Sequence, residues 1–244
     1  MFKLKYVWLS LFLMTINVSA KSIKLDTSDD FSLAADYVAA KEVKGGVLML
    51  HQCNSNKGMY QGLAKSLSKK GISSLSLDFR SYGESVSETV SLENFRKNSK
   101  DRQELRSKII AVRKHWPADV EQAYQFLVKQ VGDKPISFIG ASCGGGQALV
   151  LAQKHKPQSF IFFSSGMDNE TQELYQKVSD VPAMIIAAEG DEYTFKSSNE
   201  IYKKKKTDLT QLKTYKGNGH GFPLFKQDPN LEKEMVNWFV KFTK

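Results

Sequence analysis

Short apolar runs alternate along the chain with segments whose apolar residues recur at helical spacing. Residues 47–50 and 159–163 are nearly unbroken apolar runs, as expected of strands buried on both faces. Ile72–Leu77, 136–139, Ala183–Ala188 and 209–215 supply further strands. Between them, Met59, Leu63 and Leu67 fall on one helical stripe, and Leu105, Ile109, Val112 and Trp116 on another. Pro117 opens a third helix, with Val120, Tyr124, Leu127 and Val131 inward and Gly132-Asp133 at its end. Helices are also expected over 169–178, in the basic stretch after Asp191, and over Leu231–Phe242. Ahead of all this, residues 22–39 alternate about Ser28-Asp29-Asp30, which predicts a hairpin. Strands alternating with helices argue for an α/β domain with a mostly parallel sheet covered on both faces. The segment 86–115 is longer than an ordinary connection, and its second half carries the Leu105 stripe.

Residues 1–20 stand apart from this pattern. Lys3 and Lys5 precede a mainly apolar stretch ending in Val18-Ser19-Ala20, which reads as a secretory signal peptide. The apolar stretch is short of the ~20 residues that span a bilayer, and no cysteine follows for lipid attachment. The expected mature chain, 21–244, is therefore exported, periplasmic or secreted, with no stable membrane anchor. It keeps a charge of about +7 of the full chain's +9. Much of the excess lies between Leu92 and His115, where eight cations from Arg96 to Lys114 outnumber Glu93, Asp101 and Glu104. With no nucleic-acid motif present, solvated basic faces account for this charge and no nucleic-acid partner is expected. Two cysteines, Cys53 and Cys143, are too few for a metal cluster or a disulfide scaffold. Neither composition nor motif calls for a metal or a cofactor.

Candidate chemistry centres on Gly140-Ala141-Ser142-Cys143-Gly144-Gly145-Gly146, set between a strand and a helix-like run, 147–152. A serine on a tight turn of small residues from strand to helix has the build of a nucleophile elbow. Ser142 alone is a weak signal. Asp191 and His220 also fall just after strands in glycine-rich loops, and sheets of this kind place their sites at the carboxyl ends of strands. A serine nucleophile needs a base for its proton and a carboxylate to orient that base.

In these residues the chain resembles an α/β-hydrolase of the dienelactone-hydrolase-like group. The matching positions are Gly140-x-Ser142-x-Gly144-Gly145, Asp191, His220-Gly221, and Asp78-x-Arg80-x-x-Gly83-x-Ser85, in that family's Ser, Asp, His order and across nearly all of 21–244. The resemblance implies a triad of Ser142, Asp191 and His220. Cys143 competes for the nucleophile, but counting from Ser142 puts Gly140, Gly144 and Ala148 on the family pattern, and counting from Cys143 does not. Glu189, Glu192 and Asp168 compete with Asp191. His51, His115 and His155 sit in contexts with ordinary structural explanations. The 86–115 segment stands where such folds often place a helical cap, and Asp78, Arg80 and Gly83 where they fix neighbouring loops.

The resemblance further implies an oxyanion hole made from the backbone N–H of Cys143 and that of Cys53, with Gln52 the alternative second donor. Relatives carry His-Gly-x where this chain has His51-Gln52-Cys53. Both cysteines then stand close together, either as a Cys53–Cys143 disulfide or as two thiols lining the pocket. The expected activity is hydrolysis of small carboxylic esters through an acyl-enzyme, without a cofactor. Acyltransfer or peptide hydrolysis by the same triad, or binding without catalysis, are the alternatives left open, and the oligomeric state is not readable.

Overall fold

A computed structural model describes residues 20–243, so the expected signal peptide lies outside the described residues except for Ala20. The chain begins with the anticipated hairpin, β1 (Lys21–Asp26) and β2 (Ser32–Val38), paired antiparallel with Leu25 opposite Leu33. β3 (Gly45–Leu50) follows, then a 3-10 turn (Lys57–Tyr60), α1 (Gln61–Ser68) and β4 (Ile72–Leu77). Next come α2 (Leu92–Asn98), α3 (Arg102–Arg113), α4 (Trp116–Val131), β5 (Ile136–Ala141) and α5 (Cys143–Ala152). β6 (Phe160–Phe163), α6 (Asn169–Lys177), β7 (Ala183–Ala188) and α7 (Glu192–Lys203) carry the alternation onward. β8 (Gln211–Tyr215), the short α8 (Leu224–Gln227) and α9 (Leu231–Phe242) close it.

The eight strands form one sheet in the order β1-β2-β4-β3-β5-β6-β7-β8, parallel from β4 to β8 and antiparallel at the hairpin. On one face α1 and α9 bury Leu63, Leu67, Met235, Trp238 and Phe239. On the other, α4 to α7 bury Trp116, Leu127, Leu149, Tyr175 and Ile201. Each of β3 to β7 is buried at every residue, which is why β3, β6 and β7 lack polar alternation; β4 instead buries Ser73, Ser74 and Ser76.

Several boundaries shift by a residue or two, and four differences from the sequence reading have a clear physical cause. β3 starts at Gly45, because Gly45 and Gly46 lie in the strand against the Pro135 carbonyl, Val131 and Ile136, where side chains would not fit. Trp116 belongs to α4, not to the helix of Leu105. Pro117 in the first turn of α4 cannot extend α3, since it lacks an N–H and its ring would strike the carbonyl four residues back. The indole instead stacks on Phe79 at 4.5 Å and donates to the Arg80 carbonyl at 3.3 Å. α2 has one buried residue, Phe95, too little for a periodic signal, though Ser91 caps it through the Asn94 N–H at 3.0 Å. Finally, α5 starts at Cys143 and runs through Gly144, Gly145 and Gly146, which read as loop from their composition.

The chain steps from β3 to β4 on one side and then to β5 on the other. In such sheets a crevice opens outside the carboxyl ends of the strands at this reversal. The loops after β3 and β5 meet there.

Candidate active site

Ser142 joins β5 to α5 with φ 49° and ψ −118°, a strained conformation for a residue with a side chain. Its own N–H donates to the Phe163 carbonyl at the end of β6, 2.9 Å away. Two close approaches hold the turn. A Cβ on Gly140 would strike the Gly144 carbonyl, and one on Gly144 would strike the Leu50 and His51 carbonyls at the end of β3. The glycines two before and two after Ser142 are thus steric requirements of the elbow.

His220 lies in the loop after β8, and its Nδ1 meets Asp191 Oδ2 at 2.6 Å. Asp191 sits between β7 and α7 and also accepts a hydrogen bond from Thr194 Oγ1, one helical turn on. The loop is docked on β6: the Gly221 N–H donates to Ser164 Oγ at 2.9 Å. Adjacent residues of β6 and its end, Phe163 and Ser164, therefore receive the amides of Ser142 and Gly221. With Nδ1 bonded to Asp191, Nε2 is the imidazole nitrogen left for proton transfer.

The competing residues have other partners. Glu189 pairs with Lys216 at 2.6 Å. Asp168 caps α6 by accepting from the Thr171 N–H at 2.9 Å and its hydroxyl at 2.7 Å, and these bonds lower its pKa. His115 faces Asp29 at 3.2 Å, and His155 stacks on Tyr124 and bonds Glu121 at 2.7 Å. His51 is fully buried. It accepts from the Phe79 N–H at Nε2, 3.0 Å, so its proton sits on Nδ1, which donates to the Gln52 carbonyl at 2.7 Å. Burial pushes its pKa down to about 4, and the imidazole is neutral at pH 7.

That neutral histidine orients the next peptide. The Gln52 carbonyl accepts from His51 Nδ1 and from the Ser55 N–H at 3.0 Å. No peptide bond among the described residues is cis, so the Cys53 N–H points away from that carbonyl. Cys143 is the first residue of α5, whose opening amides have no intrahelical acceptor. Leu50 pairs with Gly140 in the β3–β5 register, and each cysteine stands three residues beyond its member of the pair. Their Cα atoms are 5.8 Å apart and a Cys53–Cys143 disulfide joins them, so the chain has the bonded form of the two alternatives. Arg113, at the end of α3, lies over Trp116 and places Nη2 3.1 Å from Cys53 Sγ.

Asp78, Arg80 and Gly83 are framework, as expected. Buried Asp78 accepts the N–H groups of Lys57 at 2.6 Å and Glu84 at 2.8 Å, and Gly83 lies against its carboxylate where a Cβ would collide. Arg80 forks onto Asp119 at 3.0 and 2.7 Å and onto Asp29 at 2.6 and 2.9 Å, tying α4 to the turn of the hairpin. Sequence reasoning passed over Thr194, and over the side chain of Gln52, whose backbone N–H alone it considered. The three-residue spacing of Asp191 and Thr194 across a helix start carries a signal for the first. No spacing encodes the second.

A cleft of about 530 Å³ adjoins the β3 loop, lined by Asn54, Ser55, Tyr82, Val86, Leu92 and Arg96. Another of about 540 Å³ lies between α1 and α9, and neither cleft is lined by Ser142, Asp191, His220, Cys53 or Cys143. Among the described residues no cluster of His, Cys, Asp or Glu could hold a metal, and no helix is long and apolar enough to cross a membrane.

Comparison with solved structures places the fold. An esterase from an Arctic intertidal metagenomic library superposes with TM-score 0.72 at 18% identity, covering 94% of this chain and 96% of its own. An α/β hydrolase from Penicillium sp. sh18 gives 0.70 at 16% identity, covering 93% and 99%. A dienelactone hydrolase from Anabaena variabilis gives 0.61 at 16%, covering 92% and 96%. No curated protein matches the sequence. The family model for serine aminopeptidase, S33, matches residues 41–178, a span that holds the loop after β3 and Ser142 and stops short of Asp191 and His220. With more than half its length matched, the chain belongs to the serine aminopeptidase S33 family of α/β-hydrolases.

Proposed function

We propose that the chain is an exported serine hydrolase that cleaves small carboxylic esters through an acyl-enzyme on Ser142. His220 Nε2 takes the Ser142 proton as Oγ attacks the carbonyl carbon, and returns it to the leaving alkoxide as that bond breaks. Asp191 holds the imidazole by its Nδ1 proton and stabilises the charge it gains. The Cys143 and Cys53 N–H groups hold the oxyanion, where losing one such donor typically costs ~10²–10³ in turnover. Water, activated by His220, then releases the acid and restores Ser142. In this reading residues 21–244 form one domain, with 86–115 as a cap over the substrate cleft.

The observation that carries the reading is the 2.6 Å His220–Asp191 contact on a loop docked beside the strained serine. A binding protein on this fold would have no need of all three groups together. Labelling the purified chain with a fluorophosphonate probe tests it. Wild type is expected to label covalently and to hydrolyse 4-nitrophenyl acetate, and Ser142→Ala to do neither. Equal labelling of Ser142→Ala, or none of wild type, refutes it.

A further inference from the structure

Gln52 occupies the place where the related loop pattern carries glycine, and its side chain does something glycine cannot. The residue is 4% exposed. Its Oε1 accepts the Phe222 N–H at 2.9 Å, two residues past His220, and its Nε2 donates to Asn54 Oδ1. The amide approaches Gly221, φ +65°, by its oxygen, where any Cβ would overlap Oε1. The loop bearing the base is therefore held by two consecutive N–H groups on two different supports. Gly221 is bonded to Ser164 at the end of β6, and Phe222 to Gln52 at the end of β3.

The anchor of this bond is itself fixed. The Gln52 carbonyl is held by His51 Nδ1 and the Ser55 N–H, and the next residue is bonded covalently to Cys143. Two adjacent residues of one loop thus reach both other parts of the site: Cys53 the elbow, Gln52 the base loop. From this juxtaposition we propose that Gln52 is a positioning residue that sets His220 relative to the oxyanion donors, an inference that rests on the esterase reading above. Acyl transfer needs the base to accept a proton while charge grows on the carbonyl oxygen, so both devices must be in register at one moment. The Gln52 amide is the direct side-chain link between them. Being neutral, it sets their distance without biasing the imidazole's charge.

Gln52→Leu removes the acceptor and keeps the bulk; Gln52→Met, unbranched and equally long, replaces it if the first variant fails to fold. Gln52→Glu keeps an oxygen for the Phe222 N–H, and the Asn54 amide can turn to donate to the other. Each full-length variant is compared on 4-nitrophenyl acetate, with active sites counted by fluorophosphonate so that misfolded protein drops out. Gln52→Leu should lower kcat per labelled site by roughly 10–10²-fold with KM changed by no more than about twofold. Gln52→Glu should recover most of that kcat and shift the acid limb of the pH profile upward, because a carboxylate near His220 favours the imidazolium. Amide exchange at Phe222 should be slow in wild type and Gln52→Glu, and fast in Gln52→Leu. Wild-type kcat in Gln52→Leu overturns the proposal. So does a loss that Gln52→Glu fails to restore, which would mark Gln52 as packing alone. Wild type that neither labels nor turns over ester instead refutes the esterase reading, and is distinguishable because no variant is needed to see it.

Discussion

The loops after β3 and β4 are neighbours in the sheet and face the same problem with different chemistry. Each leaves a buried strand and must fix irregular backbone at the carboxyl edge. After β4 the chain uses full charges. Asp78 gathers two backbone amides with Lys57 nearby at 3.9 Å, while Arg80 is shared between Asp119 and Asp29. In the loop after β3, ahead of the 3-10 turn, the buried side chains are neutral, an imidazole and a carboxamide, and a half-buried disulfide follows them. In the proposed mechanism the β3 loop adjoins a developing oxyanion, and neutral dipoles can be oriented toward it in advance at little electrostatic cost. The ion pairs of Asp78 and Arg80 lie beside β4, where each charge has a partner and holds the hairpin and α4 in place.

Removing the disulfide should break the β3 side most severely. Cys53 and Cys143 are 90 residues apart, and a closed loop of that size contributes up to about 4.5 kcal/mol in the chain-entropy model. Urea unfolding of the Cys53→Ser, Cys143→Ser double variant should show a loss of that order, with the β4 loop's ion pairs intact. A loss under about 1 kcal/mol would show that the loop is held by its hydrogen bonds instead.

On the β4 side, Arg80→Met leaves fully buried Asp119 without its partner and should cost about 3–4 kcal/mol in the same assay. Turnover per labelled site should change little, because Arg80 is separated from Ser142 by β3. A large fall in turnover at full occupancy of folded protein would erase the distinction between the two loops.

Acid separates them by titration. His51 has its pKa lowered by burial from 6.5 to about 4. Between those values the unfolded chain binds a proton that the folded chain refuses, so stability falls as pH drops through that window, by about 3 kcal/mol in all. Asp78 and Asp119 act in the opposite sense. Burial raises their pKa, so the folded chain takes up protons before the unfolded one as pH approaches the carboxylate range, offsetting part of the loss. Denaturant midpoints measured from pH 7 to pH 4 should decline, and His51→Gln should flatten the decline. An unchanged slope in that variant would move the acid sensitivity to the β4 network.

Much of this was legible in the sequence because burial writes itself into composition. β7 and α9 were bounded to the residue, since an unbroken apolar run and a full amphipathic period admit little else. The positions of Ser142, Asp191 and His220 at the sheet edge were legible because strand ends followed by glycine-rich loops mark that edge. The misreadings have a common origin. Trp116 continued the spacing of Val112 across a break that only Pro117 betrayed, and α5 begins in glycines that serve close backbone contact rather than flexibility. Gln52 escaped notice as an actor for a related reason. It was read as a departure from a glycine pattern, and a long side chain's reach to Phe222, 170 residues away, leaves no trace in local spacing.

The Cys53–Cys143 bond also makes the middle of the chain a covalent ring. Inside it lie α1, β4, the 86–115 segment, α4 and β5, while Asp191 and His220 belong to the free tail beyond. The exposed, non-helical stretch 86–89 ahead of α2 is the natural place for a protease to cut. One cut there opens the ring without parting the molecule: the severed pieces stay joined at the mouth of the site, and the sheet retains every strand. A protease-rich surrounding would be survivable for a chain built this way.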